Sequence, residues 1–156
     1  MNIFKRNKTI SRMELEAYIG EKAYTPFYTK TLNKFMENPN SPNWSWPSFF
    51  IGMYWLMFRK AIIPSLILFA VNFALMTIVP FLVSPIISLS ILILMGLFGT
   101  NIFLMNAERE ISKLKMQNPG LDEVALLSKI GSIGGTTYLY PVLFYLGQTI
   151  LYSIIY

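Results

Sequence analysis

Residues 43–62, NWSWPSFFIGMYWLMFRKAI, hold three tryptophans, three phenylalanines and a tyrosine just before the basic doublet Arg59-Lys60. The next charged residue is Glu108, so residues 61–107 form an uncharged block of 47 residues. Since about 20 apolar residues cross a bilayer, this block is long enough to cross twice. Aromatic rings with a polar edge concentrate at the membrane–water interface, so residues 43–62 predict the point at which the chain enters a bilayer.

The composition of the chain also indicates a membrane protein. Hydrophobic residues make up 54% of it and charged residues only 13%, whereas about 25% of a typical soluble domain is charged. There is no histidine and no cysteine, which removes imidazole bases, thiolate nucleophiles and the usual zinc ligands. No carboxylate lies in an apolar segment that is long enough to cross a membrane. An ionisable group there would mark a proton relay or an ion path. We therefore expect no enzymatic activity, no cofactor and no metal-binding residue.

The distribution of charge and hydropathy predicts an all-α integral membrane protein. It has three transmembrane helices, an interfacial aromatic helix and a cytoplasmic helical N-terminal region. The predicted segments are cytoplasmic amphipathic helices and a linker (1–43), the interfacial aromatic-basic helix (44–60), a transmembrane helical hairpin (61–107), a cytoplasmic helical loop (108–135) and a third transmembrane helix (136–156). Within the hairpin, the first span runs from about residue 61 to 79 and the second from about 86 to 107.

Short motifs predict where the N-terminal helices begin. Ser11 and Glu14 have the spacing of a capping box, and Thr25-Pro26 places an N-cap residue before a proline at the first helical position. We expect these helices to pack on the rest of the protein. Residues 46–58 are also predicted to form a helix. A helix of 13 residues is only about 20 Å long, which is less than the ~30 Å thickness of the hydrocarbon core. This segment is therefore interfacial or re-entrant, and the sequence leaves both possibilities open.

The flanking charges predict the orientation. Residues 1–60 hold nine basic and four acidic residues, residues 108–130 hold four of each, and the turn between the first two spans has none. Because Lys and Arg are retained on the cytoplasmic side, the N-terminus and residues 108–130 are expected inside. The C-terminus is then outside.

Two groups of candidate site residues follow from this arrangement. The residues expected to contact lipid headgroups are Trp44, Trp46, Trp55, Arg59 and Lys60. Those expected to form polar contacts inside the membrane are Asn72, Asn101 and Gln148. Asn72 and Gln148 each lie about 17 Å from the inner end of a span, so we expect them to pair, or alternatively to line a pore.

Smaller signals concern packing and the surface. Gly96 and Thr100 offer a small face for close helix contact. The carboxylate pairs are expected to lie on solvated helical surfaces; they are Glu14/Glu16, Glu108/Glu110 and Asp122/Glu123.

The chain resembles a widespread bacterial family of small inner-membrane proteins classed only as a domain of unknown function. The family signature reads Asn-Trp-x-Ala-Phe-Phe-x-Gly, then Trp, then Tyr-Arg-Lys, and the matching residues here are Asn43, Trp44, Phe49, Phe50, Gly52, Trp55, Arg59 and Lys60. Pro47-Ser48, Phe58 and Ala61 depart from the pattern, since the family has there a small residue, a tyrosine and, directly after Tyr-Arg-Lys, a methionine. Further similar stretches are YIGEKAYTPFYTKTLNKF, GLFGTNIFLMNAEREI and GGTTYLYP. The resemblance implies a bacterial inner (cytoplasmic) membrane location and no mechanism.

Together these features predict a small, non-enzymatic membrane anchor or accessory subunit that binds a partner at its cytoplasmic face. The alternative is a homo-oligomeric membrane pore or membrane-perturbing effector. An enzyme acting on lipids is a third, weaker possibility. The expected partners are a bilayer with anionic lipid and either further copies of the chain or another membrane protein. For the basic N-terminus, anionic lipid is a simpler partner than nucleic acid, so we expect no nucleic-acid binding.

Overall fold

The computed structural model describes Asn7, residues 9–80 and residues 82–155, and within these ranges the chain is helical with no β-strand. Its helices are α1 (Arg12–Ile19), a 3-10 turn (Glu21–Tyr24), α2 (Pro26–Glu37), α3 (Trp46–Phe58), α4 (Ile62–Ile78), α5 (Ser84–Gln117), α6 (Glu123–Ile133) and α7 (Leu139–Ile155). The predicted all-α class is confirmed.

The two N-terminal α-helices, α1 and α2, begin at the predicted motifs. The Ser11 backbone N–H donates to Glu14 Oε2 at 2.6 Å, and the Glu14 N–H donates back to Ser11 Oγ at 3.2 Å. At the start of α2, Thr25 Oγ1 accepts from the Tyr28 N–H at 3.4 Å, and Pro26 occupies the first turn. These bonds satisfy amides that a helix start leaves without partners, so both predicted starts are confirmed.

The N-terminal helices pack against the second half of α5 and against α6. Periodic apolar residues of α1 and α2 are buried, including Leu15, Ile19 and Leu32, and they share one core with Phe103 and Ile130. The expectation that these helices pack on the rest of the protein is met. They form a layer at the polar end of α5.

One helix of the described chain is long and apolar enough to cross a membrane. This helix is α5, whose 34 residues extend about 51 Å. The two other apolar helices, α4 and α7, have 17 residues each and are shorter than the predicted spans. Only a third of the most apolar stretch of α5 is buried, whereas the core helix of a soluble protein is mostly buried. The fold is compatible with membrane association.

Helix α7 begins beside the end of α3. The Thr137 N–H donates to the Phe58 carbonyl at 2.9 Å, and the Phe58 and Tyr138 rings lie 5.0 Å apart. Farther along α7, Phe144 contacts Tyr54 of α3 with ring centroids 5.6 Å apart. Helix α7 therefore lies along α3.

Two of the carboxylates expected on solvated surfaces are buried instead. Glu14 accepts from Lys115 Nζ at 2.8 Å, and Glu108 accepts from the Asn7 N–H at 2.8 Å. Burial raises the pKa of Glu14, but the hydrogen bonds from Lys115 and Ser11 outweigh it and hold that pKa below its usual value. These two residues depart from the expectation because each fastens the N-terminal region to α5, a long-range contact that helical spacing cannot indicate.

Candidate functional site

Helix α3 is bent at Gly52, whose φ of +46° lies in the region that glycine adopts without steric cost. The bend separates residues 46–51 from residues 53–58. Residues from both ends of α3, among them Trp46 and Phe58, line one cavity of about 230 Å³. A straight helix of this length would hold its ends about 20 Å apart. The two ends of α3 therefore lie on the same side of the bend.

Close contact with α5 holds the entering half of α3. The Ser45 N–H donates to the Gly96 carbonyl at 2.8 Å, and Ser48 Oγ donates to the Met95 carbonyl at 2.8 Å. A Cβ atom on Gly96 would lie 2.8 Å from the Trp44 ring, and one on Gly99 would overlap Ser48 Oγ. Close contact is therefore found at Gly96 of the predicted small face and at Gly99, which was not predicted, while Thr100 is buried.

The linker before α3 is fixed by Asn101, one of the residues expected to form a polar contact inside the membrane. Its Nδ2 donates to the Pro39 carbonyl at 2.7 Å and to the Ser41 carbonyl at 2.9 Å, and the side chain is buried. Asn101 thus binds the linker backbone instead of another span. Its amide supplies donors to carbonyls that lie outside any helix and would otherwise be unpaired.

Arg59, expected at the headgroups, is buried inside the protein with 1% of its surface exposed. Its Cζ lies 4.8 Å from the Tyr28 ring centroid and 4.7 Å from that of Phe103, so the guanidinium sits between two aromatic faces. Nη1 makes a long hydrogen bond of 3.5 Å to the Ile19 carbonyl. The Arg59 side chain therefore packs against α1, α2 and α5 instead of extending away from the protein surface.

The charge of Arg59 is unusual because no Asp or Glu side chain balances it. All eight carboxylates belong to the described residues, and none forms an ion pair with Arg59. Its Nε and Nη2 have no hydrogen-bond partner among the residues described. Burial raises the pKa of the neighbouring Tyr28 hydroxyl, and the positive charge of Arg59 opposes that increase. Tyr28 is therefore a neutral phenol at neutral pH.

Arg59 lines the cavity that the two ends of α3 share. The other residues around it include one further cation, Lys22, and a wall of aromatic rings: Phe27, Tyr28, Trp44, Trp46, Trp55 and Phe58. Trp44 Nε1 is also buried without a partner among the described residues. Buried donors are almost always hydrogen-bonded, so three unpaired donors on two residues of one cavity indicate a place for an acceptor. The arrangement suits binding of an anion.

The other residues that were expected to contact lipid headgroups lie in two different parts of the structure. Trp44, Trp46 and Trp55 all reach the Arg59 cavity, but Trp55 is buried against Phe103, with ring centroids 5.8 Å apart, instead of facing outward. Lys60 is directed away from this cavity. It has a positive φ of 59°, and its Nζ lies 3.5 Å from the Ser132 carbonyl. Four of the five predicted residues therefore surround one cavity.

Asn72 and Gln148 do not pair. The Tyr54 hydroxyl donates to Gln148 Oε1, because α7 lies along α3. Asn72 lines a separate cavity of about 360 Å³ between α3, α4 and α5, with Ser88 among its neighbours. It makes no hydrogen bond to any residue in the described ranges.

The part of the site that comes from the N-terminal region was not predicted from the sequence. Lys22, Phe27 and Tyr28 line the cavity, yet the sequence predicted only that the N-terminal helices pack on the rest of the protein. No local signal links these residues to α3.

Comparison of the chain with protein-family models, with curated proteins and with solved structures finds no match in any of the three. Membership of the bacterial family that the aromatic-basic motif resembles stays a prediction.

Proposed function

We propose that the protein is a three-span membrane protein with a re-entrant helix, and that it serves as a non-enzymatic anchor or accessory subunit in a bacterial inner membrane. The observation that supports this most is a band of exposed apolar side chains on three helices. Its members include Ile63, Leu66, Ile67, Val71 and Ile78 on α4, Ile86, Leu89, Ile93 and Leu94 on α5, and Leu139, Val142, Leu143, Leu146, Ile150 and Ile154 on α7. Large exposed apolar surfaces mark contact with a membrane or a partner.

The lengths of the shorter helices are consistent with crossing. Helices α4 and α7 have 17 residues each, which corresponds to about 25 Å and lies at the lower limit of about 17–25 residues for a span. Apolar residues beyond their ends, such as Ala61 and Val79 around α4, extend the hydrophobic length. In this arrangement α4 and α5 form the hairpin and α7 the third crossing.

The segregation of charge supports an inward N-terminus. All charged residues in the described ranges lie between Arg12 and Lys60 or between Glu108 and Lys129, and none lies in the apolar band. Helices α1, α2 and α6 pack with the polar end of α5, so these charges share one layer. With the excess of basic residues retained inside, this layer is cytoplasmic.

A binding role fits the chemistry of this layer. Several of its carboxylates are used in structural contacts: Glu14 binds Lys115, Glu16 binds Arg12, and Glu110 binds Lys113. The layer also exposes apolar side chains to the cytoplasm, namely Met13, Met116 and Val124. Exposed apolar side chains on a charged surface suit contact with a partner protein.

Purification of the intact protein in a mild non-ionic detergent, followed by measurement of the mass of the complex, tests this proposal. An accessory subunit retains a second protein in a fixed ratio, and Met116→Glu weakens that retention because it charges the apolar surface. Ser128→Glu, at an exposed position of α6, is the matched control and leaves retention unchanged. If the chain is purified from membranes of its native host as a monomer without a second protein, the proposal is contradicted.

The pore remains the second candidate because of Asn72. Its amide lines a cavity between α3, α4 and α5 and has no hydrogen-bond partner among the residues described, as a pore-lining group would. Liposomes that contain the purified protein test this alternative. Dye leakage that Asn72→Leu abolishes supports a pore, and the absence of leakage at every protein density excludes it.

A further inference from the structure

We propose that the cavity between α2 and the two ends of α3 binds a phosphate group, with Arg59 as its principal ligand, and that the phosphate belongs to the headgroup of an anionic lipid. The identification of a lipid as the source of the phosphate rests on the membrane placement proposed above. The phosphate chemistry itself rests on the cavity alone.

The orientation of the guanidinium is the first argument. Its Nη1 is directed at the Ile19 carbonyl, whereas Nε and Nη2 are both unpaired. These two nitrogens form one edge of the planar guanidinium. That edge makes two parallel hydrogen bonds to two oxygens of a phosphate or a carboxylate. The unpaired atoms of Arg59 are therefore the pair that binds an oxyanion in a bidentate manner.

The balance of charge is the second argument. A buried charge is unfavourable unless an opposite charge or full hydrogen bonding compensates it. The faces of Tyr28 and Phe103 attract the cation, and the Tyr28 hydroxyl also interacts with the guanidinium, but neither side chain supplies a negative charge. A bound anion supplies both the charge and the acceptors. Lys22, exposed and lining the same cavity, adds a second cation toward solvent.

The size and lining of the cavity favour a lipid as the source. Its volume of about 230 Å³ is below the ~300–1,000 Å³ of typical small-molecule sites, so it accommodates a headgroup and leaves acyl chains outside. Trp46 is 60% exposed and Phe27 37% exposed, and both line the cavity. Such rings border the headgroup region of a bilayer, where apolar chain and polar head meet.

Lipid retention by the intact protein in a phosphate-free, non-ionic detergent tests the proposal. The purified protein is incubated with phosphatidylglycerol, with a neutral diacyl glycolipid of the same chain length, or with glycerol phosphate, and retained molecules are measured by native mass spectrometry. We expect phosphatidylglycerol to be retained about tenfold better than the glycolipid, the effect of a charge-assisted hydrogen bond. Arg59→Met should remove this preference, and Arg59→Lys should restore part of it because a lysine binds phosphate only as a point charge.

Matched variants separate the loss of a ligand from a general loss of charge or of folding. Arg109→Met removes one exposed positive charge outside the cavity and should leave the preference unchanged. Should Arg59→Met fail to fold, Lys22→Glu provides the same test at the exposed rim, with Lys30→Glu on α2 as its control. We expect Lys22→Glu to weaken retention of phosphatidylglycerol and Lys30→Glu to leave it intact.

The outcomes distinguish the sources of the phosphate. Saturable, Arg59-dependent binding of glycerol phosphate with no preference between the two lipids supports the phosphate site and assigns it to a soluble ligand. Equal retention of both lipids by the wild type, with no binding of glycerol phosphate, overturns the proposal. So does a phosphatidylglycerol preference that survives both Arg59→Met and Lys22→Glu. None of these results depends on which side of the membrane the N-terminus occupies or on a protein partner, so failure of this proposal is distinguishable from failure of the proposed role as an anchor or subunit.

Discussion

Lys115 Nζ lies 2.8 Å from Glu14 Oε1, although the two residues are 101 positions apart. This ion pair joins the first helix to the far end of α5, and Glu14 is buried where it does so. Together with the hydrogen bond from the Asn7 N–H to Glu108, it adds long-range polar contacts to the apolar packing of this region.

The first prediction concerns the pH dependence of this contact. Glu14→Gln should lower the free energy of unfolding at neutral pH by about 1–2 kcal/mol, because a partly buried, charge-assisted hydrogen bond is lost. The pKa of Glu14 is lowered in the folded state from its ordinary value of 4.5. Its contribution is therefore complete above pH 4.5 and is lost as the pH falls through the folded value.

Thermal unfolding in detergent between pH 7 and pH 3 measures this effect. The difference between wild type and Glu14→Gln should shrink below pH 4.5, whereas Glu37→Gln, at an exposed position, should match the wild type throughout. A difference that stays constant with pH would show that the charge of Glu14 is not what stabilises the contact.

The second prediction concerns topology. Because the chain has no cysteine, single cysteines report accessibility without a background signal. Leu82→Cys, in the exposed turn between α4 and α5, should react with a membrane-impermeant thiol reagent in intact cells, and Gln117→Cys, at the end of α5, should react only after lysis. Labelling of Gln117→Cys from outside contradicts the proposed orientation, and labelling of both positions indicates that α5 does not cross.

The third prediction tests the bend in α3. Gly52→Ala should destabilise the protein by about 1–2 kcal/mol, because an L-residue at positive φ is sterically strained. The added Cβ would meet Leu92 at an ordinary distance of 3.7 Å, so the effect arises from the backbone and not from a clash.

Gly147→Ala is the matched control for this test. Gly147 is an exposed helical residue with no neighbour within 4 Å of an added Cβ, so the same substitution there should be neutral or stabilising. Melting temperatures in detergent compare the two variants. Equal melting temperatures would mean that α3 accommodates a regular helix at residue 52.

The fourth prediction concerns the polar contact between α3 and α7. Tyr54→Phe strands the Gln148 amide and Gln148→Leu strands the Tyr54 hydroxyl, so each single variant should lose about 0.6–2 kcal/mol. The double variant should lose less than the sum, because it leaves neither group unpaired. Asn72→Leu should change the stability little, since Asn72 has no partner among the described residues. A strictly additive result for Tyr54 and Gln148 would contradict the contact.

The features that could be predicted from the sequence depend on neighbours along the chain. Ser11 with Glu14, and Thr25 with Pro26, determine helix starts within four residues, and both starts appear where they were expected. The uncharged block likewise indicated apolar helices. In these cases the physical cause lies in residues that are continuous along the chain.

The burial of Arg59 could not be predicted in this way. The rings that enclose it, Tyr28 and Phe103, belong to α2 and α5, far from it in the sequence. A basic residue after an aromatic run is a common membrane-interface pattern, and nothing local to it shows that two distant helices cover it. The bend at Gly52 is similar, since a glycine in the sequence does not reveal the sign of its φ.

The expected pairing of Asn72 with Gln148 failed for a related reason. Depth along an ideal helix was estimated from residue count, but the direction in which each amide points depends on how α4 and α7 are rotated. Because α7 lies along α3, Gln148 meets Tyr54 instead.

In the proposed topology, the bend in α3 has a consequence for the two leaflets of the bilayer. In the proposed topology the outer leaflet surrounds α4, α5 and α7, whereas the inner leaflet also surrounds the two halves of α3, which enter and return on that side. Each helical segment is about 10 Å across, so the protein displaces more lipid area from the inner leaflet than from the outer one. In that topology the cross-section of the protein is wedge-shaped, and we expect lateral pressure in the inner leaflet to act on the two halves of α3.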